Sequence, residues 1–247
     1  MNYKILPVVV LFALGFMGFH AWNEKEVEGE VAMTVKVEEA KPLEAEETFE
    51  MKMEERYADL DVQEYTAPSK ESFQKALKGF WKMKEEGILK KDILTIVDFS
   101  LSSTARRLWV IDMSKNKILL QTVVSHGRNS GNEFAQKFSN TINSNMSSLG
   151  FYKTGETYSG KHGFSLRLDG LEKGYNDLAR ERAIVMHGAD YAAESLAQKQ
   201  GRLGRSLGCP AIPQNIKKEL IDLIKDETCL FIYYPNSEYL KGSQFLS

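Results

Sequence analysis

The chain of 247 residues has only two cysteines, Cys209 and Cys229. Two are too few for a disulfide framework, although in an exported domain the pair could still be joined. Cys229 opens the apolar run C-L-F-I-Y-Y and reads as a buried core thiol. Histidine is also scarce, and only His126, His162 and His187 follow the N-terminal leader. None of the three is paired at helical or strand spacing, and no H-E-x-x-H occurs. A zinc site needs three protein ligands, so a zinc peptidase ranks low and no metal or other cofactor is expected. Net charge is close to zero, at −2. No dense basic stripe is visible, which argues against a nucleic-acid partner.

What charge there is lies unevenly. Residues 23–65 hold 15 Asp/Glu against 5 Lys/Arg, a net of −10, while residues 66–247 carry a net of +7. The acidic stretch repels itself and has no steady apolar period, so residues 23–68 are expected to be a largely disordered linker, with a local helix between Glu44 and Tyr57 as the alternative. Ahead of it, M-N-Y-K is followed by apolar residues from Ile5 to Phe19. A positive start and an apolar run of this length form a secretory pattern. A spanning helix wants about 20 apolar residues, and no clear A-x-A cleavage site or lipid-attachment cysteine follows. Residues 1–22 are therefore expected to be a signal peptide or a membrane anchor, with both outcomes open.

From Ser69 to Glu86 the apolar positions Phe73, Leu77, Phe80, Trp81 and Ile88 share one stripe, which predicts a helix started by Pro68–Ser69 and stopped by Gly87. Strand-like runs follow at Ile93–Phe99, Leu108–Met113 and Ile118–Val124, the last two forming a hairpin about Ser114–Lys117. Ser125 to Gly150 is rich in Ser, Asn and Gly, and a loop of that length is uncommon unless it is functional or disordered. Strands resume near Phe151, at Phe164–Leu168 and at Ala183–His187. A helix opens at Pro213, and Cys229–Tyr234 closes the sheet. Many strands and few helices argue a mainly β fold with flanking helices, of the α+β kind. It is expected over residues 69–235, with 236–247 as a C-terminal tail.

Chemistry concentrates between Arg182 and Pro213. A short apolar run delivers His187 and Gly188, and a glycine-rich turn carries Gly201, Gly204, Gly208 and Cys209. A thiol attacks carbonyls as thiolate and needs a proton acceptor or a positive neighbour, which an imidazole near neutral pH can be. Gly208 before Cys209 permits a tight backbone. The amides of Gly208 and Cys209, with Leu207, are candidates for an oxyanion hole, each donor worth roughly 2.7–4 kcal/mol. Ser206 is a candidate support for the cysteine loop. Arg202 and Arg205 could hold a carboxylate bidentately.

These segments resemble the murein L,D-transpeptidase catalytic domain of the YkuD-like superfamily, in the branch with an S-x-G-C-P signature. The matching residues are I-V-M-H-G-A around His187 and G-R-S-L-G-C-P-A from Gly204 to Ala211. Upstream, S-H-G-R at Ser125, S-S-L-G-F-Y at Ser147, Y-S-G-K-H-G-F-S-L at Tyr158 and G-L-E-K-G-Y-N-D at Gly170 follow in the same order. The resemblance covers roughly residues 70–235. It implies a β-sandwich-like domain in which Cys209 is the nucleophile and His187 the base. It also implies substrate contacts at His162, Tyr158 and His126, and peptidoglycan stem peptides as partners in the periplasm or cell envelope. Two departures stand out: Leu207 and Ala211 occupy the places of a second His and an Arg in the commoner motif, so Arg202 or Arg205 would have to meet a substrate carboxylate. An L,D-carboxypeptidase and a non-catalytic peptidoglycan-binding module are the alternatives.

Overall fold

The structure is a computed structural model, described over residues 43–247. The N-terminal apolar run, with its expected signal or anchor, lies outside the described residues, as does the first part of the acidic linker. Among the described residues no helix is long and apolar enough to cross a membrane.

The expected strands form, and they assemble into one sheet. β1 (Ile93–Asp98), β2 (Leu108–Asp112) and β3 (Lys117–Thr122) are an antiparallel meander, with β2 and β3 as the expected hairpin. β4 (Gly150–Gly160) and β5 (Gly163–Gly170) make a long second hairpin. β6 (Val185–Gly188), β7 (Ala211–Ile212) and β8 (Cys229–Tyr233) complete eight strands in the order β3-β2-β1-β8-β4-β5-β6-β7. The fold is thus mainly β, sandwich-like, with flanking helices. β8 is last in the chain but central in the sheet, parallel to β1 and antiparallel to β4, so it joins the two hairpins rather than closing an edge. Its five residues are all buried, as a strand covered on both faces requires.

Helix α2 (Lys70–Glu85) packs on β1 and β8 through Phe73, Leu77, Phe80 and Met83. Ser69 caps it, its hydroxyl accepting from Ser72 N–H, and Gly87 leaves it at φ +69°. Gly79 faces the Phe151 ring so closely that an added Cβ would fall inside it. The missing side chain lets the helix lie against the Phe151–Phe231 stack, whose ring centroids are 4.2 Å apart.

Two boundaries move. Residues 43–68 belong to the folded unit: α1 (Leu43–Ala58) lies on α2, with Phe49 against Trp81, Tyr57 against Phe73, and Met53 and Leu60 buried. Arg56 donates to Met113 O and Asn116 Nδ2 donates to Arg56 O, which ties α1 to the β2–β3 turn. The tail is folded as well. The helix Ser237–Gly242 buries Tyr239, and Phe245 and Leu246 follow it into the core. Glu172, inside the Gly170–Asp177 motif, anchors that tail, accepting from Tyr239 Oη (2.8 Å), Ser243 Oγ and Phe151 N–H.

Candidate active site

The sheet register sets out a row of side chains: Tyr158 on β4 pairs with Ser165 on β5, Ser165 with His187 on β6, and His187 with Ala211 on β7. Opposed residues share a face, and Cys209 stands two positions before Ala211. The 21 residues between His187 and Cys209 therefore make an excursion, through α3 (Glu194–Gln200), that returns beside its starting point. Tyr191 O accepts from Gly204 N–H at 2.7 Å as it does so.

His187 is buried, and its Nδ1 lies 3.0 Å from Gly188 O. A carbonyl only accepts, so Nδ1 carries the proton and Nε2 keeps its lone pair. Burial holds its pKa below the usual imidazole value. The Gly188 carbonyl pulls the other way, and His162 and Lys217 each add a smaller push in the same direction as burial. At neutral pH the imidazole is uncharged and ready to accept a proton. His162, at the tip of the β4–β5 hairpin, stacks on it with ring centroids 4.3 Å apart.

Cys209 is a half-buried free thiol, and Cys229 a buried one whose sulfur meets Met83 Sδ at 3.6 Å, so the two are not joined. The Cys209 sulfur accepts from Val185 N–H (3.5 Å) and donates to Ala183 O (3.7 Å). Burial raises its pKa, against the pull of the Val185 amide and of Arg182. The resting group is a thiol. Ala183 adopts φ +54°, an uncommon conformation for a residue with a side chain. It turns its carbonyl toward the sulfur where the chain enters β6.

The cysteine loop is held from inside. Ser206 Oγ donates to Cys209 O (2.6 Å) and accepts Gly208 N–H (3.0 Å). Gly208 stands at φ +128°, and a Cβ there would meet Met146 O at 2.8 Å. Ser147 Oγ reaches Gly208 O at 3.1 Å and accepts Gly127 N–H. The long loop after β3 straps this turn in place. Ser125 bridges Ala211, Gly127 bridges Ser206, and Ser206 N–H reaches His126 O at 3.0 Å. Ser206 is thus placed as a support for the loop.

Other expected placements change. The Gly208 amide is engaged by Ser206 Oγ at 3.0 Å. Leu207 projects outward, 62% exposed. His126 is not a groove residue. It is buried beneath the strap with Nδ1 2.8 Å from Arg107 Nη2, so its proton sits on Nε2. Burial and the Arg107 charge push its pKa down to about 4. Arg205 donates from Nη1 to the Arg128 and Gly131 carbonyls, and Arg202 from Nη1 to Leu203 O. Neither pairs with a carboxylate among the described residues. Tyr158 is half-buried under the Arg167 guanidinium, 4.5 Å from the ring centroid. A cavity of about 700 Å³ lies between β3, α3 and the Pro213–Glu219 segment and is not lined by Cys209 or His187.

Sequence reasoning passed over Arg182. Its guanidinium donates to Ser139 O (2.8 Å), Ser148 Oγ, Ser144 Oγ (3.2 Å) and Met146 O (2.7 Å). It passed over Lys217 too, whose stem covers Gly188.

A half-exposed thiol in a braced loop, one strand away from a buried neutral imidazole, defines the site. Residues 64–233, more than half of the chain, match the family described as L,D-transpeptidase catalytic domain. The chain belongs to that family. Among solved structures it is similar to an L,D-transpeptidase from Mycobacterium smegmatis, with 13% identity over 58% of this chain and 59% of that one, TM-score 0.37. It is similar also to an L,D-transpeptidase from Stackebrandtia nassauensis, with 14% identity over 75% and 76% of the two chains, TM-score 0.36. The match thus spans about three fifths of the Mycobacterium smegmatis chain. No curated protein matches the sequence.

Proposed function

We propose that this chain is a cysteine-dependent murein L,D-transpeptidase that cross-links peptidoglycan by acyl transfer from a tetrapeptide stem. The observation that carries the reading is the pairing of the Cys209 thiol with β6, the strand that ends in a neutral, Nδ1-protonated His187. In the first half-reaction His187 Nε2 takes the thiol proton as sulfur attacks the carbonyl of the third stem residue. The peptide C–N bond breaks, the terminal D-amino acid leaves with that proton, and a thioester remains on Cys209. In the second half-reaction an acceptor amine attacks the thioester. His187 takes the amine proton and returns it to the departing sulfur.

The Cys209 amide is the donor left for the oxyanion, since Ser206 occupies that of Gly208. His162 and Tyr158, along the β4–β5 hairpin, would line the donor groove. The net +7 of residues 66–247 suits an anionic wall polymer, and the N-terminal secretory pattern supports export to the periplasm or cell envelope. Water in place of the amine would make the same apparatus an L,D-carboxypeptidase. Incubating the purified protein with tetrapeptide muropeptides and weighing the products tests the proposal. Dimers lighter by one D-amino acid are expected, tripeptides alone would indicate the carboxypeptidase, and unchanged substrate would refute both.

A further inference from the structure

We propose that Arg182 is the cation that stabilises the Cys209 thiolate, a positioning residue for the nucleophile rather than a substrate contact. The inference rests on the reading of Cys209 as the nucleophile.

The Arg182 guanidinium is half-buried behind the cysteine loop, where Nη2 lies 3.5 Å from the point a Gly208 Cβ would occupy. Four hydrogen bonds hold it, all to neutral oxygens of the 139–148 loop. Among the described residues it forms no ion pair with a carboxylate. Its charge is therefore fixed in place and uncompensated. The same short segment, Arg182 to Val185, supplies both backbone partners of the sulfur, Ala183 O and Val185 N–H. One stretch of chain thus delivers the amide, the carbonyl and the cation to the thiol.

The other candidate for this task does not fit it. An imidazolium could stabilise a thiolate, but His187 is held neutral chiefly by burial, with the Lys217 charge acting the same way. The groups that act electrostatically on or beside Cys209 are Arg182 and Tyr191, with His187, His162 and Lys217 on the neighbouring strand and helix. Tyr191 is held well above its usual range by burial and stays neutral. Lys217 acts on His187, and Arg182 is the permanent charge that acts on the sulfur. It opposes the burial that keeps the thiol protonated, and an opposite charge within about 4–6 Å typically lowers a pKa by ~1–3 units. All but one of the five guanidinium N–H donors are used, so the fork is not free to bind a substrate carboxylate.

The test is the pH dependence of Cys209 alkylation by iodoacetamide, followed by peptide mass spectrometry in the full chain. Arg182→Gln, with the fold checked by circular dichroism, should move the midpoint up by about 1 pH unit or more. Arg182→Lys, which keeps the charge and loses the fork, should stay close to wild type. A wild-type midpoint in Arg182→Gln, or equal shifts in both variants, would reduce Arg182 to a loop anchor and overturn the proposal. If Arg182→Gln does not fold, the Lys variant decides alone: an unmoved midpoint supports the charge, and a rise of about 1 unit overturns it. Alkylation needs no turnover, so inactivity of the wild type on muropeptides would sink the enzymatic reading and leave this result standing.

Discussion

The Cys209 sulfur is hydrogen-bonded to Val185 N–H at 3.5 Å, two residues before His187 on the same strand. The proposed nucleophile and base are thereby registered to one another by the backbone of β6. Their relative placement does not depend on a side-chain contact between them.

That arrangement fixes the expected pH profile. His187 acts as a base only when uncharged, and burial holds its pKa below 6.5. Activity should stay flat as pH falls from 8 to about 6.5 and decline only below that. His187→Gln should lower kcat by about 10²–10⁴-fold. An acid limb centred above pH 7 in the wild type would contradict the assignment of neutral His187 as the base.

Ser206→Ala removes the hydroxyl that joins Gly208 N–H to Cys209 O. Two buried backbone groups then lose a partner, at about 1–3 kcal/mol. Thermal melts should show that loss, with a fall in acyl transfer beyond what unfolding explains. Ser206→Thr keeps the hydroxyl and should recover most of the activity. Full activity in the alanine variant would mean that the loop holds its shape without this bridge.

Met53→Ala distinguishes a folded α1 from a tether. Met53 is 4% exposed among the residues joining α1 to α2. Truncation should cost about 2–5 kcal/mol in urea unfolding. A tether residue would cost nothing.

His126 carries a pH-dependent share of the stability. Its folded pKa is near 4, below its unfolded value of 6.5. The unfolded chain binds the proton more tightly, so this contribution is complete above pH 6.5 and is lost as pH falls toward 4. The depression corresponds to about 3 kcal/mol. His126→Asn, which can still accept from Arg107, should flatten that part of the stability curve. An unchanged slope between pH 6.5 and 4 would show that His126 is not the group that titrates.

Much of this was legible in the chain. Local apolar runs marked β1, β2, β3 and β8, and the order of short motifs brought His187 and Cys209 together. The central position of β8 was not legible, because its partners β1 and β4 are remote in sequence. α1 carries Phe49, Met53 and Tyr57 at the spacing of a helix face, continued by Leu60 just past its end. That stripe is narrow, and the surrounding glutamates left a local helix over Glu44–Tyr57, close to the α1 that forms, as the alternative to a disordered linker. Gly208 could be read as a strained turn, but the capture of its amide by Ser206 depends on a hydroxyl orientation that spacing does not reveal. Arg182 escaped notice because its partners are backbone and hydroxyl oxygens more than 30 positions away. His126 looked like a loop residue because its cover and its Arg107 partner come from other elements.

The central claim is a thioester on Cys209. Mixing the protein with a tetrapeptide donor in the absence of an acceptor amine, quenching in acid and mapping the mass shift measures it directly. The account predicts an adduct of the donor less its terminal D-amino acid, confined to the peptide containing Cys209 and absent from Cys209→Ala, while Cys229→Ser still forms it. An adduct on another residue, or acyl transfer at the wild-type rate by a folded Cys209→Ala protein, would contradict it.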